Sequence, residues 1–268
     1  MRTIELDDTT IAYEEGGPAD GVPVLLSHSL FFDHRMFDPL AALLQEAGFR
    51  TIAYDQRGHG QTPGAPRERL TMDARTADAA ALLRGLDLAP AHVVGNSMGG
   101  FVGLRLAARH PELVRTVGAL GSSAEEEHQL EAFAPLVERL GEEGAAPAID
   151  VLLHIMFGDT SLASRPDLVA PWRERMAALS PAIADSALEV IHRAPVVEEL
   201  AGCAVPVLAI SGAEDHAYPP PLSDERLADA AGGRWVRVDG AGHSVALEQP
   251  EACAAALLEH FARHAVPA

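Results

Sequence analysis

Short apolar runs alternate with stretches of helical spacing over the first 120 residues. The apolar runs predict buried strands, and the stretches whose apolar residues recur every three or four positions predict helices. The opening segments Thr3–Leu6 and Thr10–Glu14 alternate like a hairpin. Further strands are predicted at Val22–Ser27, Arg50–Tyr54, His92–Gly95 and Val114–Leu120, and helices at Arg35–Glu46, Met72–Leu86 and Met98–Arg109. Parallel strands joined by crossover helices give an α/β sheet that is covered on both faces.

The rhythm changes between Ser122 and Leu200, where helical stretches follow one another without a strand. They are predicted at Gln129–Leu140, Ala146–Phe157, Leu168–Leu179 and Ala184–His192. The alternation resumes with strands at Val205–Ile210 and Trp235–Val238 and helices at Leu222–Ala231 and Glu251–Phe261. We therefore expect one α/β core, residues 1–121 and 201–268, interrupted by a helical lid at residues 122–200.

Charge excludes several classes of partner and mechanism. The 268 residues include 39 acidic and 20 basic side chains, a formal net charge of −19, and every basic residue is an arginine. Without lysine, no Schiff base, lysine general base or phosphate-binding lysine is available. The acidic excess also argues against nucleic acid and anionic membranes as partners.

Neither the cysteines nor the apolar runs indicate a special compartment. Cys203 and Cys253 do not form a CxxC pair, so no zinc or redox framework is indicated. The first residues lack the apolar run of a signal peptide, and no stretch approaches the roughly 20 apolar residues that cross a bilayer. A cytoplasmic protein without a membrane partner is expected.

The sharpest chemical motif is the run Gly95-Asn96-Ser97-Met98-Gly99-Gly100, between a predicted strand and a predicted helix. This G-x-S-x-G pattern is typical of a nucleophile elbow, in which a tight turn exposes the serine. The helix that follows offers free N–H groups to a developing oxyanion. The alternative is a glycine-rich structural turn with an incidental serine.

A serine nucleophile needs a base and an acid that orients the base. Of the 12 histidines, His243 follows the last predicted strand directly, while Asp215 follows the strand that ends near Ile210. The order Ser97, Asp215, His243 places each residue on a loop after a strand. Glu214 and Asp239 are the competing acids.

The second feature of such a site is an oxyanion hole. We expect it to use the backbone N–H groups of Leu30, in the loop after the third strand, and of Met98. His28 in the same loop is either part of the site or a residue that holds the loop by hydrogen bonds.

With these residues, the whole chain resembles the α/β-hydrolase superfamily. Matching motifs are the SHSL loop at residues 27–30, the run DQRGHG at 55–60, the GNSMGG elbow, SGAED at 211–215 and AGHSVALEQPE at 241–251. The run at residues 27–39 and the pair Pro219-Pro220 after SGAED are similar to the 3-oxoadipate enol-lactonase and carboxylesterase group. The resemblance implies a mostly parallel, eight-stranded sheet with helices on both faces and a helical lid.

The resemblance also implies the reaction and its requirements. Ser97 would attack a carbonyl, His243 would take its proton and Asp215 would orient His243, with no metal and no cofactor. Asp55, Arg57 and His59 would be structural. A serine at the elbow excludes dehalogenases and epoxide hydrolases of this fold, which use aspartate. The expected reaction is hydrolysis of an ester or lactone. The two alternatives are carbon–carbon hydrolysis of a diketone and a non-catalytic ligand receptor. A homodimer is a further possibility that the sequence leaves open.

The predicted lid carries a net charge of −10, with 15 acidic residues and 5 arginines. An anionic substrate would meet this field unfavourably unless an arginine faced the pocket, so an uncharged, moderately apolar ester or lactone is expected. The arginines are expected to pair with surface glutamates, and the run Glu125–Glu127 to be a solvated helix start. Candidate substrate-binding residues are Phe31, Phe32, His154, Phe157 and Trp172; packing within the lid is the alternative for most lid residues.

Overall fold

Eight strands form a single sheet in the computed structural model, which describes residues 1–265. They are β1 (Arg2–Glu5), β2 (Thr10–Gly16), β3 (Pro23–Ser27), β4 (Arg50–Tyr54), β5 (Ala91–Asn96), β6 (Val114–Leu120), β7 (Val207–Gly212) and β8 (Arg234–Val238). Their order across the sheet is β1-β2-β4-β3-β5-β6-β7-β8. The pairs β1–β2 and β2–β4 are antiparallel and the others are parallel, which confirms the predicted mostly parallel sheet.

Helices cover both faces of this sheet. They are α1 (Asp38–Glu46), α2 (Met72–Gly85), α3 (Met98–Arg109), α4 (Leu130–Glu143), α5 (Ile149–Met156), α6 (Asp159–Ser164), α7 (Pro166–Ala177), α8 (Ile183–Ile191), α9 (Val197–Leu200), α10 (Leu227–Ala231), α11 (Val245–Glu248) and α12 (Pro250–Arg263). Apolar residues of α1 and α12 belong to one buried cluster, and those of α2, α3 and α10 extend a second cluster. The two clusters are the two faces of the core.

Helices α4 to α9 lie between β6 and β7, in the segment we call the helical insertion, residues 121–206. Most of its buried apolar side chains join the cluster that also holds α1 and α12, whereas Ala124, Val196, Leu200 and Val205 join the second cluster. Among residues 1–265, no helix combines the length and the apolarity that crossing a membrane requires.

Prolines account for several differences from the predicted helix boundaries. The predicted helix Arg35–Glu46 is a 3₁₀ turn at His34–Phe37 followed by α1, whose second residue is Pro39. The helix predicted from Leu168 begins two residues earlier, at Pro166. Proline has no N–H to donate and its φ angle suits a first helical turn, so each helix has its proline in its first turn. The short helices α6, α9 and α11 were not predicted.

The parallel strands carry their following loops to one edge of the sheet. Ser27 pairs with Gly95, Asn96 with Leu120, and Gly212 with Val238 across the sheet, so these strands end in register. Residues that follow β3, β5, β7 and β8 therefore meet at this edge, which is where the sequence predicts its chemical residues.

Candidate active site

Ser97 lies on a strained turn between β5 and α3. Its backbone angles are φ +51° and ψ −114°, a region that residues other than glycine rarely adopt. Such strain persists where the surrounding structure enforces it, and it is characteristic of functional positions. Gly95 and Gly99 permit the turn, because a Cβ on either would overlap backbone atoms of Gly99 or of Ser27. The G-x-S-x-G pattern is thus explained by close backbone packing.

His243 and Asp215 are joined by a buried hydrogen bond. The His243 Nδ1 lies 3.1 and 3.0 Å from the two carboxylate oxygens of Asp215. The backbone N–H groups of Ala217 and Tyr218 both donate to Asp215 Oδ1 at 2.8 Å, which fixes the carboxylate. With Nδ1 donating, Nε2 is the acceptor of a neutral imidazole. His243 and Ser97 line the same cavity.

The loop that carries His243 is held from three sides. Asn96 Nδ2 donates to the His243 carbonyl at 2.9 Å, and the N–H of Ser244 donates to Met156 at the end of α5 at 3.0 Å. Glu248 on α11 accepts from the N–H of Gly242 at 2.9 Å. Burial raises the pKa of Glu248, and the charge of Asp215 contributes in the same direction. The loop of His243 is therefore positioned by the core and by the insertion together.

The competing acids face elsewhere. Glu214 accepts from the backbone N–H and the hydroxyl of Thr160, at 2.8 and 2.6 Å, and Asp239 is exposed. Asp215 is the carboxylate that contacts His243.

Histidine side chains hold the loop after β3. His28 Nδ1 donates to the Ser29 carbonyl at 2.8 Å, while its Nε2 accepts from the N–H of Gln56 at 2.9 Å. Burial lowers the pKa of His28, in keeping with a neutral ring. His59 Nε2 donates to the Leu30 carbonyl at 2.6 Å. These contacts support the interpretation of His28 as a residue that holds the loop.

The two residues expected to form the oxyanion hole lie beside Ser97 in the chain, in the case of Met98, and in the wall of its cavity, in the case of Leu30. Met98 is the first residue of α3, where a helix has no internal acceptor for its N–H. Leu30 lies in the loop after β3 and lines the cavity with Ser97. Within residues 1–265, the Leu30 N–H donates to no backbone acceptor.

The helical insertion forms most of the wall of the cavity at Ser97. The space between the lining atoms is about 510 Å³, which includes open solvent at the mouth. Most of its wall is apolar and comes from α4, α5 and α8: Phe133, Leu136, Val137, Leu140, Ile155, Met156, Ala187, Val190 and Ile191. Small, mostly apolar concavities with few polar groups are typical of ligand sites.

Of the five expected substrate-binding residues, Phe31 lines this cavity. The other four lie elsewhere. Phe32 packs on Trp172 and on Phe157, with ring centroids 4.6 and 6.1 Å apart, because the three rings fill the space between the loop after β3 and the insertion. His154 is exposed and stacks on His216.

Sequence reasoning missed three polar residues of the cavity: Ser29, Glu127 and Tyr218. Glu127 was expected on a solvated helix start, but its side chain is 1% exposed. It accepts from Arg193 Nη1 at 3.0 Å and from the Tyr218 hydroxyl at 2.5 Å. Arg193, expected at the surface, is equally buried and lies over the rings of Phe101 and Tyr218. The unpaired Ser29 hydroxyl carried no local signal beyond its place in the SHSL loop.

Comparisons with known proteins agree with this architecture. The 3-oxoadipate enol-lactonase 2 of Acinetobacter baylyi is 28% identical, over 93% of this chain and 92% of that protein. The protein named "Putative non-heme bromoperoxidase BpoC" from Mycobacterium tuberculosis is 32% identical, over 94% of this chain and 97% of its own. The crystal structure of the enol-lactonase from Burkholderia xenovorans LB400 matches with a TM-score of 0.90 at 30% identity, over 97% of this chain and 100% of that one.

A family model described as the alpha/beta hydrolase fold matches residues 22–250. This range includes the turn at Ser97, both members of the Asp215–His243 pair and the entire insertion. Together with the strand order and the relatives above, the match identifies the family. The chain belongs to the alpha/beta hydrolase fold family.

Proposed function

We propose that this protein is a serine hydrolase that cleaves a small, uncharged carboxylic ester or lactone through an acyl-enzyme. The observation that carries the proposal is the joint position of Ser97 and His243 at one cavity, with His243 bonded to the Asp215 carboxylate. The names of relatives agree with this reaction class. They include an enol-lactonase and the pimeloyl-[acyl-carrier protein] methyl ester esterase of Neisseria meningitidis, which is 32% identical over 87% of this chain.

The reaction has two halves. The Ser97 hydroxyl oxygen attacks the carbonyl carbon while its proton passes to His243 Nε2, and the oxyanion accepts hydrogen bonds from the N–H groups of Leu30 and Met98. The C–O bond to the alcohol then breaks, and His243 returns the proton to the leaving oxygen. A water, deprotonated by His243, then attacks the acyl-enzyme; the bond between the acyl carbon and the Ser97 oxygen breaks, His243 returns the proton to that oxygen, and the acid is released. Asp215 stabilises the transient imidazolium.

The charge of the cavity wall favours an uncharged substrate. Glu127 is the carboxylate among the lining residues, and no arginine of the described chain lines this cavity. The arginines of the insertion make other contacts: Arg139 with Glu143, Arg165 with the carbonyl of Glu248, Arg173 with Asp150, Arg175 with the ring of Trp172, and Arg193 with Glu127. An anionic acyl chain would enter without a free counter-ion, because Arg193 is already paired with Glu127.

The primary experiment compares wild type with Ser97→Ala on a panel of short aryl esters, lactones and diketones. We expect wild type to hydrolyse the esters or lactones with multiple turnovers, and the variant to lose at least ~10⁴-fold in kcat. A fluorophosphonate probe should label wild type at Ser97 and leave the variant unlabelled. Turnover of diketones alone would favour carbon–carbon hydrolysis, and tight ligand binding without any turnover would favour a receptor.

A second experiment tests the preference for an uncharged substrate with two esters that share the same acyl chain. Dimethyl adipate is neutral, whereas monomethyl adipate carries a terminal carboxylate at neutral pH. We expect kcat/KM to be at least about tenfold higher for the diester. Glu127→Gln leaves the positive charge of Arg193 uncompensated, which favours the anionic monoester. The ratio of kcat/KM for the diester to kcat/KM for the monoester should therefore fall in this variant. Glu126→Gln, at an exposed neighbouring position, should leave that ratio unchanged. A preference for the monoester in wild type would contradict the proposed substrate class.

A further inference from the structure

Three potential metal ligands meet on the outside of the molecule, where the insertion contacts the core. They are His154 on α5, Asp159 at the start of α6 and His216, which directly follows Asp215. One ligand atom from each lies within 4.8 Å of the other two. His216 Nε2 is 3.2 Å from Asp159 Oδ1, close to the spacing of neighbouring ligands around one ion, and the two imidazoles stack with centroids 4.1 Å apart.

The segments that carry these side chains are fixed relative to one another. Thr160, next to Asp159, donates two hydrogen bonds to Glu214, two residues before His216. Gly158 donates its N–H to the buried Glu248 at 2.9 Å. The backbone thus holds the ligands near one point before any ion binds, and a preorganised ligand set loses little conformational entropy on binding.

The ligand chemistry selects a class of ion. Two imidazoles and one carboxylate suit zinc, nickel, copper or cobalt, whereas magnesium and calcium prefer oxygen ligands alone. His154 and Asp159 are exposed and His216 is partly so, which leaves room for water to complete the coordination. Neutral imidazoles with one carboxylate carry a charge of −1, and the strongly acidic insertion raises the local concentration of cations.

A second cluster of similar composition lacks these properties. Asp33, His34 and Asp55 also lie close together, but all three are buried. Asp55 Oδ1 accepts from both the ring and the backbone N–H of His34, and Asp33 accepts from Arg35. Burial is the largest single influence on the pKa of His34 and would lower it, but the hydrogen bond with Asp55 and the negative charges of Asp55, Asp33 and Asp38 together raise it. That cluster is a closed structural network, whereas the exposed one has ligand atoms free to turn toward an ion.

We propose that His154, Asp159 and His216 form a binding site for a divalent transition-metal ion that fastens the helical insertion to the core. None of the three lines the cavity at Ser97, so the site is separate from the proposed hydrolytic chemistry. Because His216 directly follows Asp215, a bound ion would link the insertion to the loop that carries Asp215. Occupancy stabilises the folded chain and restrains movement of α5 and α6 away from His216.

The test uses protein without an affinity tag, from which metal ions have been removed with a chelator. Zinc binding is measured by titration calorimetry, and the effect of zinc on stability is measured by thermal unfolding. We expect one zinc ion per chain, a rise of several degrees in Tm and no comparable effect of magnesium. Either His216→Ala or Asp159→Asn should weaken zinc binding by at least about tenfold, since each removes a ligand. These measurements need no substrate, so they are independent of the hydrolase proposal.

His192→Ala is the matched control, because His192 is also an exposed histidine of the insertion. It should bind zinc as wild type does. The proposal is overturned if wild type binds no zinc at millimolar concentration, or if both ligand variants bind with the affinity and Tm rise of wild type. Unchanged Tm values of the metal-free variants would establish that they are folded.

Discussion

The hydroxyl of Ser29 is a buried polar group without a hydrogen-bond partner among the described residues. Its backbone is engaged, since the N–H contacts Met36 Sδ at 3.2 Å and the carbonyl accepts from His28. Unpartnered buried hydroxyls are uncommon and call for an explanation. Because Ser29 lines the cavity beside Leu30 and Ser97, a hydrogen bond to the bound substrate or its oxyanion would satisfy this hydroxyl.

We therefore expect Ser29→Ala to lower kcat about fivefold on a short ester, the value of one hydrogen bond of roughly 1 kcal/mol. KM and Tm should change little, because the hydroxyl has no partner to lose in the free protein. Ser123→Ala is the control, a buried serine outside the cavity wall that should keep its activity. Equal kcat values for Ser29→Ala and wild type would show that the hydroxyl does not act on the substrate.

At this scale, the sequence indicates candidate residues best where the pattern that marks them is local. Ser97 follows from glycines two positions away on each side, and Asp215 and His243 follow from their positions after strands. Glu127 was misjudged because its partner Arg193 is 66 residues distant, and an adjacent run of glutamates resembles a solvated surface. Burial that depends on one distant pairing leaves no trace in local sequence.

Among the elements, the four-residue helix α11 has an effect beyond its length. It presents Glu248, whose two carboxylate oxygens accept separately from Gly158 in the insertion and from Gly242, next to His243. A carboxylate can accept at both oxygens, whereas an amide offers one acceptor and turns its NH₂ group toward the second N–H. Glu248 therefore positions the loop that carries His243.

Glu248→Gln should lower kcat about tenfold while the protein stays folded, through loss of about one hydrogen bond. Burial raises the pKa of Glu248, so its ionised form opposes folding at neutral pH, and replacing it by an uncharged group offsets the lost bond. The checks are steady-state kinetics and the rate of fluorophosphonate labelling. Glu251→Gln, exposed in the first turn of α12, should match wild type. Undiminished labelling of Glu248→Gln would contradict the positioning role.

Helix existence was easier to predict than helix ends. Long periodic segments such as α3 were predicted at their observed bounds, because apolar spacing over several turns is a strong signal. The short helices α6 and α11 escaped because four to six residues hold too few turns to show a period. Their starts depend on tertiary contacts, such as that between Thr160 and Glu214, which sequence spacing does not report.

Across the whole molecule, the net negative charge affects which ligands bind, whereas the burial of histidines affects how stability depends on pH. The charge of −19 disfavours anionic ligands but leaves the fold class to the hydrophobic pattern. Histidines respond to pH through burial instead. Burial lowers the pKa of His92 to about 3, with Arg115 and His260 contributing, and burial likewise lowers that of His260 to about 4. Both must be neutral in the folded state.

This pair predicts that the free energy of unfolding falls as the medium becomes acidic. A histidine whose folded pKa is depressed stabilises the fold above its ordinary pKa of 6.5, and that stability is lost progressively as the pH drops toward the folded value. Between pH 7.5 and pH 5, His92 alone should account for about 2 kcal/mol, at 1.36 kcal/mol per pH unit below 6.5.

Urea unfolding of wild type and His92→Gln at both pH values measures this contribution. Glutamine can still reach the Thr116 hydroxyl, which lies 2.8 Å from His92 Nδ1, but it does not titrate. The variant should therefore lose about 2 kcal/mol less than wild type on acidification. His110→Gln, at a partly exposed position, should follow the wild-type curve. A His92→Gln variant that loses as much stability as wild type would assign the acid sensitivity to other groups, because the burial of His92 would then carry no proton-linked cost.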